Sequence, residues 1–189
     1  MNNELIESAI EYIKDLFQNK SDGHDAGHSM RVYKNALLIA EHEPACNLRI
    51  VSLAALLHDV DDHKLFQTVN NENARKFLET HEIESKEIDE ICEVINSVSF
   101  SKNRGRRPAT LEGKIVQDAD RLDALGAIGI ARTFLYGGKH DRPFEDSLQH
   151  FYDKLLLLRD EINTSFARKI AENRHDFMLS FLEELKREI

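Results

Sequence analysis

The sequence predicts an all-α fold built as a single-domain helical bundle. Three observations carry this expectation. Apolar residues recur at spacings of three and four, strand-like alternation is nearly absent, and 189 residues contain only eight Gly and three Pro. A chain of this length can bury one substantial core, and neither a repeat nor a low-complexity linker divides residues 1–189.

Ile6, Ile10, Ile13 and Phe17 stripe a first helix. The Gly-containing segment Ser21 to Gly27 precedes a second, striped by Val32, Ala36, Ile39 and Ala40. Residues 48–60 are apolar almost all round, as a central buried helix is. Asn70 to Glu79 reads as a short helix with Asn70 or Asn71 at its N-cap. Ser85 to Ser97 places Ile88, Ile91, Cys92 and Ile95 on one face. A loop covers 99–109, and Thr110 is placed to cap a long helix reaching about Tyr136. A second loop spans Gly137 to Asp146, and two helices, near 147–162 and 165–187, close the chain. Ile170, Phe177, Phe181 and Leu185 form the expected core face of the last one, while His42, His81, His150 and His175 carry no spacing signal and read as surface residues.

Composition narrows the function. Lys and Arg number 25 against 34 Asp and Glu, a net charge of −9. That balance disfavours a nucleic-acid polymer or an anionic membrane as the main partner, so a phosphate-bearing partner requires a local basic patch or a metal. No apolar run approaches the ~20 residues of a membrane span. The acidic, amphipathic N-terminus lacks the basic and continuous apolar regions of a signal peptide. Cys46 and Cys92 show no motif spacing, which fits free thiols and a cytoplasmic location.

The chemistry is marked by polar groups inside apolar helices. His58 and Asp59 interrupt LAALLHDV, and Asp120 and Asp123 interrupt IVQDADRLDALGAIGIA. Burying them costs free energy unless they are paired or bind a metal. A buried salt bridge, a helix end reaching water and a metal site all satisfy that requirement. His28 shares the core face with Val32, Ala36 and Ile39, and Asp120 shares a face with Val116, Ala124 and Ala127. Three helices can thus aim His28, His58, Asp59 and Asp120 at one place. Two imidazoles and two carboxylates suit Mn²⁺, Fe²⁺, Co²⁺, Ni²⁺ or Zn²⁺, and Mg²⁺ less well. Asp62, four residues after His58, shares its face if the helix continues, and there a carboxylate can act as general base or acid. The competing reading is an acidic helix end, since Asp59, Asp61, Asp62 and His63 cluster.

The order His28, His58–Asp59, Asp120 resembles the H…HD…D signature of the HD-domain metal-dependent phosphohydrolases. The strings HDAGHSMRV, LAALLHDVDD and VQDADRLDALGAIGIARTF are similar to those of small standalone bacterial HD hydrolases of the YedJ/YpgQ type. The resemblance covers roughly residues 20–145, with the helices of 147–187 expected to pack on that core. It implies one divalent cation, Mn²⁺ favoured, with His28, His58, Asp59 and Asp120 as ligands and Asp62 as the catalytic acidic group. Several relatives carry Glu in place of Asp62, one methylene longer. Arg121 and Asp123 match a D-[KR]-x-D pattern that the resemblance implies holds substrate. Only His63 and His81 lie between the HD pair and Asp120, so a mononuclear site is expected.

Further candidates surround these. His24 is a possible fifth ligand or substrate contact, and Asp25 a possible hydrogen-bond partner of a ligand histidine. Arg31 reads either as a salt-bridged helix residue or as a phosphate clamp. Arg121 reads as a phosphate group holder or as a partner of Asp118 one helical turn away. Lys102, Arg104, Arg106 and Arg107 make a basic island able to recruit a phosphate chain. The expected activity is nucleotide hydrolysis, foremost of nucleoside triphosphates to monophosphates and pyrophosphate. The alternatives are 5′-nucleotidase or phosphodiesterase action, or a non-catalytic metal- or nucleotide-sensing module, and a homodimer stays open.

Overall fold

The computed structural model describes residues 3–18 and 25–189. Among the described residues the chain forms ten α-helices and one 3-10 helix, without strands. They are α1 (Asn3–Leu16), α2 (Ala26–Ala40), α3 (Leu48–Leu57), α4 (Glu72–Thr80), α5 (Ser85–Val98), α6 (Phe100–Asn103), α7 (Leu111–Asp123), α8 (Gly126–Lys139), α9 (Phe144–Asp153), the 3-10 helix Leu155–Glu161 and α10 (Ser165–Glu188).

Helix α3 is the axis of the bundle, packed by α1, α2, α5 and α7. This explains its all-round apolar character: every residue from Ile50 to Leu57 is buried. Burying each of Leu53, Leu56 and Leu57 contributes about 1.5–3 kcal/mol. The Asn47 side chain starts α3 by accepting from the N–H groups of Arg49 and Ile50. The stripes expected for α1, α2 and α5 face the core, with Ile6, Ile13, Phe17, Val32, Ala36, Ile39, Ala40, Ile88, Ile91, Cys92 and Ile95 buried. Thr110 caps α7 through its hydroxyl, which accepts from the Gly113 N–H at 3.1 Å.

Five expectations need correction. Asn71 occupies the N-cap position of α4, but its backbone is left-handed and its side chain makes no cap bond. Asp61, from the loop after α3, caps that helix instead, accepting from the N–H groups of Asn73 at 2.9 Å and Ala74 at 3.0 Å. The short helix α6 occupies part of the expected 99–109 loop. The closing segment near 147–162 is two pieces, α9 and the 3-10 helix. In α10 the buried face is Ala167, Ala171, His175, Met178 and Leu182, while Phe177 is 54 % exposed. Two alanines let α10 approach α7 and α8 closely, a face that ranking residues by size does not select.

The long helix expected from Thr110 to Tyr136 breaks after Asp123, because Leu125 is extended and Gly126 has a φ of +72°, where a Cβ is disfavoured. The apolar spacing runs through the break, so periodicity alone does not reveal it. Gly129 seals the corner, since a Cβ there would lie 2.2 Å from the Ala124 carbonyl oxygen. A backbone atom cannot rotate aside. Gly129→Ala is therefore expected to cost about 1–3 kcal/mol in urea unfolding; unchanged stability would refute this packing. The corner matters because it brings the start of α8 back beside Asp120.

Candidate metal centre

Three elements converge on one point. His28 lies in the first turn of α2, where the Asp25 carboxylate accepts from the His28 backbone N–H at 2.6 Å. His58 is the C-cap of α3, and Asp59 follows as the chain leaves the helix. That departure lets two adjacent side chains aim at one point. Asp120 projects from α7. The Nε2 atoms of His28 and His58 are 3.2 Å apart. Asp59 Oδ2 lies 3.4 Å and 3.3 Å from them, and Asp120 Oδ1 lies 3.3 Å and 3.9 Å away.

The outward nitrogens set the protonation. His58 Nδ1 faces the Ala55 carbonyl at 2.9 Å and so carries the proton. His28 Nδ1 faces Asp123 Oδ2 at 2.7 Å. Both Nε2 atoms then point inward, where a cation would take the place of their protons. His28, His58 and Asp120 form a divalent-metal-binding triad. The electrostatics agree with a site built for positive charge. Burial lowers the pKa of both imidazoles, but for His28 the hydrogen bonds to Asp120, Asp123 and Asp59 outweigh it and hold the ring well above its usual value. His58 is raised in the same way, mainly by Asp59. Burial would raise Asp120, yet its hydrogen bond to His28 pulls it below the ordinary carboxylate value.

The cluster lies in the wall of a cavity of about 760 Å³. Asp59, Asp61, Asp62 and Asp120 face it on the acidic side. Lys64, Lys102, Arg132, Arg142 and Lys154 line it as well, and Ile95, Val98, Phe100, Leu155 and Leu158 add an apolar stretch. Burial pushes the Lys154 ammonium below its usual pKa, despite the attraction of Asp120. Its Nζ also sits 5.0 Å from the centre of the Phe100 ring.

The remaining candidates are distributed as follows. Asp62 lines the cavity, and its Oδ1 accepts from the Lys64 N–H at 2.8 Å. Asp25 caps α2 rather than bonding a ligand ring. Arg31 grips Asp123 in bidentate fashion, at 2.7 Å and 3.1 Å. Arg121 borders the cavity but is 2 % exposed, and it does not pair with Asp118: it donates to Gln117, to the Glu161 carbonyl and to the Glu161 carboxylate at 2.8 Å. Asp123 is equally buried, held by His28, Arg31 and Arg132. Arg106 is exposed and outside the cavity lining, whereas Lys102 of the same basic stretch reaches it. His24 lies outside the described residues.

Sequence reasoning missed Arg132, Lys154 and Lys64. Arg132 could have been found by the criterion that found Asp120, since it is a charge set in the apolar run IGIARTF. Lys154 precedes LLLL, but only the turn into the 3-10 helix aims it inward. His175 is buried and His150 is half-buried and lines the cavity, so neither is a plain surface residue.

Comparison with known proteins agrees with this geometry. The HD domain family model matches residues 25–125. The chain is 40 % identical over 187 residues to YpgQ of Bacillus subtilis, covering 94 % of this chain and 90 % of that protein. The crystal structure of B. subtilis YpgQ in complex with ADP superposes with a TM-score of 0.87 at 36 % identity, covering 99 % of this chain and 96 % of the other. The crystal structure of Lin1889 from Listeria innocua superposes with a TM-score of 0.80 at 42 % identity, covering 100 % and 97 %. With His28, the His58–Asp59 pair and Asp120 gathered at one point of an all-helical bundle, this chain belongs to the HD-domain superfamily of hydrolases.

Proposed function

We propose that this enzyme, a metal-dependent phosphohydrolase, acts on nucleoside triphosphates and releases a monophosphate and pyrophosphate. The observation that carries the reading is the cavity: an imidazole–carboxylate cluster shares it with Lys154, Arg132, Lys64, Lys102 and Arg142, in a chain of net charge −9. A local concentration of cations in an acidic protein suits a polyphosphate. The ADP bound to YpgQ supports a nucleotide as the occupant.

His28, His58 and Asp120, with Asp59 as a fourth group, would hold the divalent cation, Mn²⁺ for preference. When bound, it polarises a phosphoryl oxygen, acidifies water and neutralises developing charge. The chain's own residues do the rest. Lys154 and Arg132 bind and orient the phosphate chain. Asp62 takes a proton from the attacking water. The water oxygen bonds to the α-phosphorus, the bond to the α–β bridging oxygen breaks, and pyrophosphate leaves with that electron pair. A cytoplasmic enzyme fits this chemistry, and among the described residues no helix is long and apolar enough to cross a membrane.

The test is a substrate panel. Chelator-stripped protein is refilled with Mn²⁺, Co²⁺, Ni²⁺ or Mg²⁺ and offered nucleoside mono-, di- and triphosphates and cyclic nucleotides. The expected product from triphosphates is pyrophosphate, with Mn²⁺ the best activator. Orthophosphate from monophosphates alone would replace this reading with 5′-nucleotidase action, and cleavage of cyclic nucleotides alone with phosphodiesterase action.

A further inference from the structure

The D-[KR]-x-D resemblance assigns Asp123 to substrate, but its surroundings point elsewhere. Asp123 is 2 % exposed and absent from the cavity lining. Asp120 and Asp123 are three residues apart, so they share a face of α7 and grip the same imidazole from opposite sides. Asp120 Oδ1 lies 3.3 Å from His28 Nε2, and Asp123 Oδ2 lies 2.7 Å from His28 Nδ1. Asp123 is itself immobilised. Arg31 Nε donates to its Oδ1 at 2.7 Å and Arg31 Nη2 to its Oδ2 at 3.1 Å. Arg132 Nη1 donates to Oδ2 from the other side, and that nitrogen lies 3.0 Å from His28 Nδ1. Both Asp123 oxygens are thus fixed in place, and the one facing His28 Nδ1 is positioned to accept from it.

We propose that Asp123 is a positioning residue that locks His28 in the Nδ1–H form, with Arg31 and Arg132 anchoring the lock, so that the metal centre rather than the substrate depends on it. This rests on the metal-site reading above. The Asp123 oxygen is the nearer of the two groups at Nδ1, 2.7 Å against 3.0 Å for the Arg132 nitrogen, and as an acceptor it holds the proton on Nδ1 and turns Nε2 to the metal side. Arg31, which the sequence offered as a phosphate clamp, then belongs to the anchor. Arg132 belongs to both regions, since it also lines the cavity.

Asp123→Asn separates the two roles. The amide keeps the shape but can present its NH2 to Nδ1, which pushes the ring proton to the wrong nitrogen. The expected result is Mn²⁺ affinity, read by calorimetry on the full chain, weaker by about 10–100-fold. Any rise in KM for the nucleotide comes together with that loss of Mn²⁺ affinity, since Arg132 holds Asp123 and also lines the cavity. A raised KM with unchanged Mn²⁺ affinity would overturn the proposal and return Asp123 to substrate holding. A second measurement needs no variant: ring ¹⁵N spectra of the Zn²⁺-loaded wild type should show a protected Nδ1–H on His28, and a bare Nδ1 would overturn the proposal even if D123N does not fold. Failure of the wild type to bind either metal is a different outcome, which removes the metal-site reading itself.

Discussion

Asp120→Asn is expected to lower kcat/KM by about three orders of magnitude or more, equivalent to about 4 kcal/mol of transition-state stabilisation. The substitution keeps the volume and one acceptor oxygen, so α7 and its packing are left in place. What it removes is the negative charge facing two buried imidazoles, 3.3 Å from one Nε2 and 3.9 Å from the other. An amide oxygen is a poor substitute for a carboxylate opposite a divalent cation. The measurement that separates this from misfolding is thermal. A cation that binds only the folded state raises Tm by mass action, so excess Mn²⁺ is expected to raise the Tm of the wild type. The variant should melt close to the metal-free wild type and show no Mn²⁺-dependent rise. A variant that keeps both turnover and the Mn²⁺ shift would remove Asp120 from the metal centre.

Asp120 was legible in the sequence for the same reason that it matters. A charge inside an apolar helix face demands a partner, and His28, His58 and Asp59 were found by the same demand. Their convergence was legible only as a possibility, because the C-terminus of α3, where His58 is the cap, decides whether neighbouring side chains meet. Residues whose role depends on a partner far along the chain were harder. Asp61 reads as one more acidic residue in a cluster, yet it caps α4 across twelve residues. Arg121 and Asp118 are three apart on one helix, which suggests a local pair, but tertiary partners won: Glu161 for the arginine and the start of α10 for the aspartate. The break at Gly126 escaped because hydrophobic periodicity carries no information on φ. The buried face of α10 escaped because closeness of approach selected small Ala167 and Ala171 over larger neighbours.

Asp118→Ala is expected to cost on the order of 3–5 kcal/mol of stability, because it removes the acceptor of several donors at once. Asp118 is fully buried, and burial pushes its pKa above the ordinary carboxylate value, against the pull of its hydrogen bonds. Its Oδ1 accepts from the Asn163 backbone N–H at 2.8 Å and from the Asn163 side-chain amide at 2.7 Å. Its Oδ2 accepts from the Thr164 backbone N–H and hydroxyl, both at 2.8 Å. Alanine would strip the acceptor from the Thr164 N–H and hydroxyl, which water reaches poorly, and from the Asn163 N–H, while the Asn163 amide would keep only its bond to Gln117 at 3.0 Å. The damage would spread, because the same chain turn follows the 3-10 helix whose Leu155 and Leu158 line the cavity. Urea unfolding measures the loss, and a cost below about 1 kcal/mol would refute the role given to this carboxylate. Asp118→Asn keeps the shape and an acceptor for one side of the network, so it should recover only part of the stability, whereas a purely steric role would be restored in full by this isosteric change. Asp118 thus ties the helix that carries Asp120 to the segment that closes the cavity behind it, so a residue with no place in the chemistry sets how firmly the two halves of the site are held together.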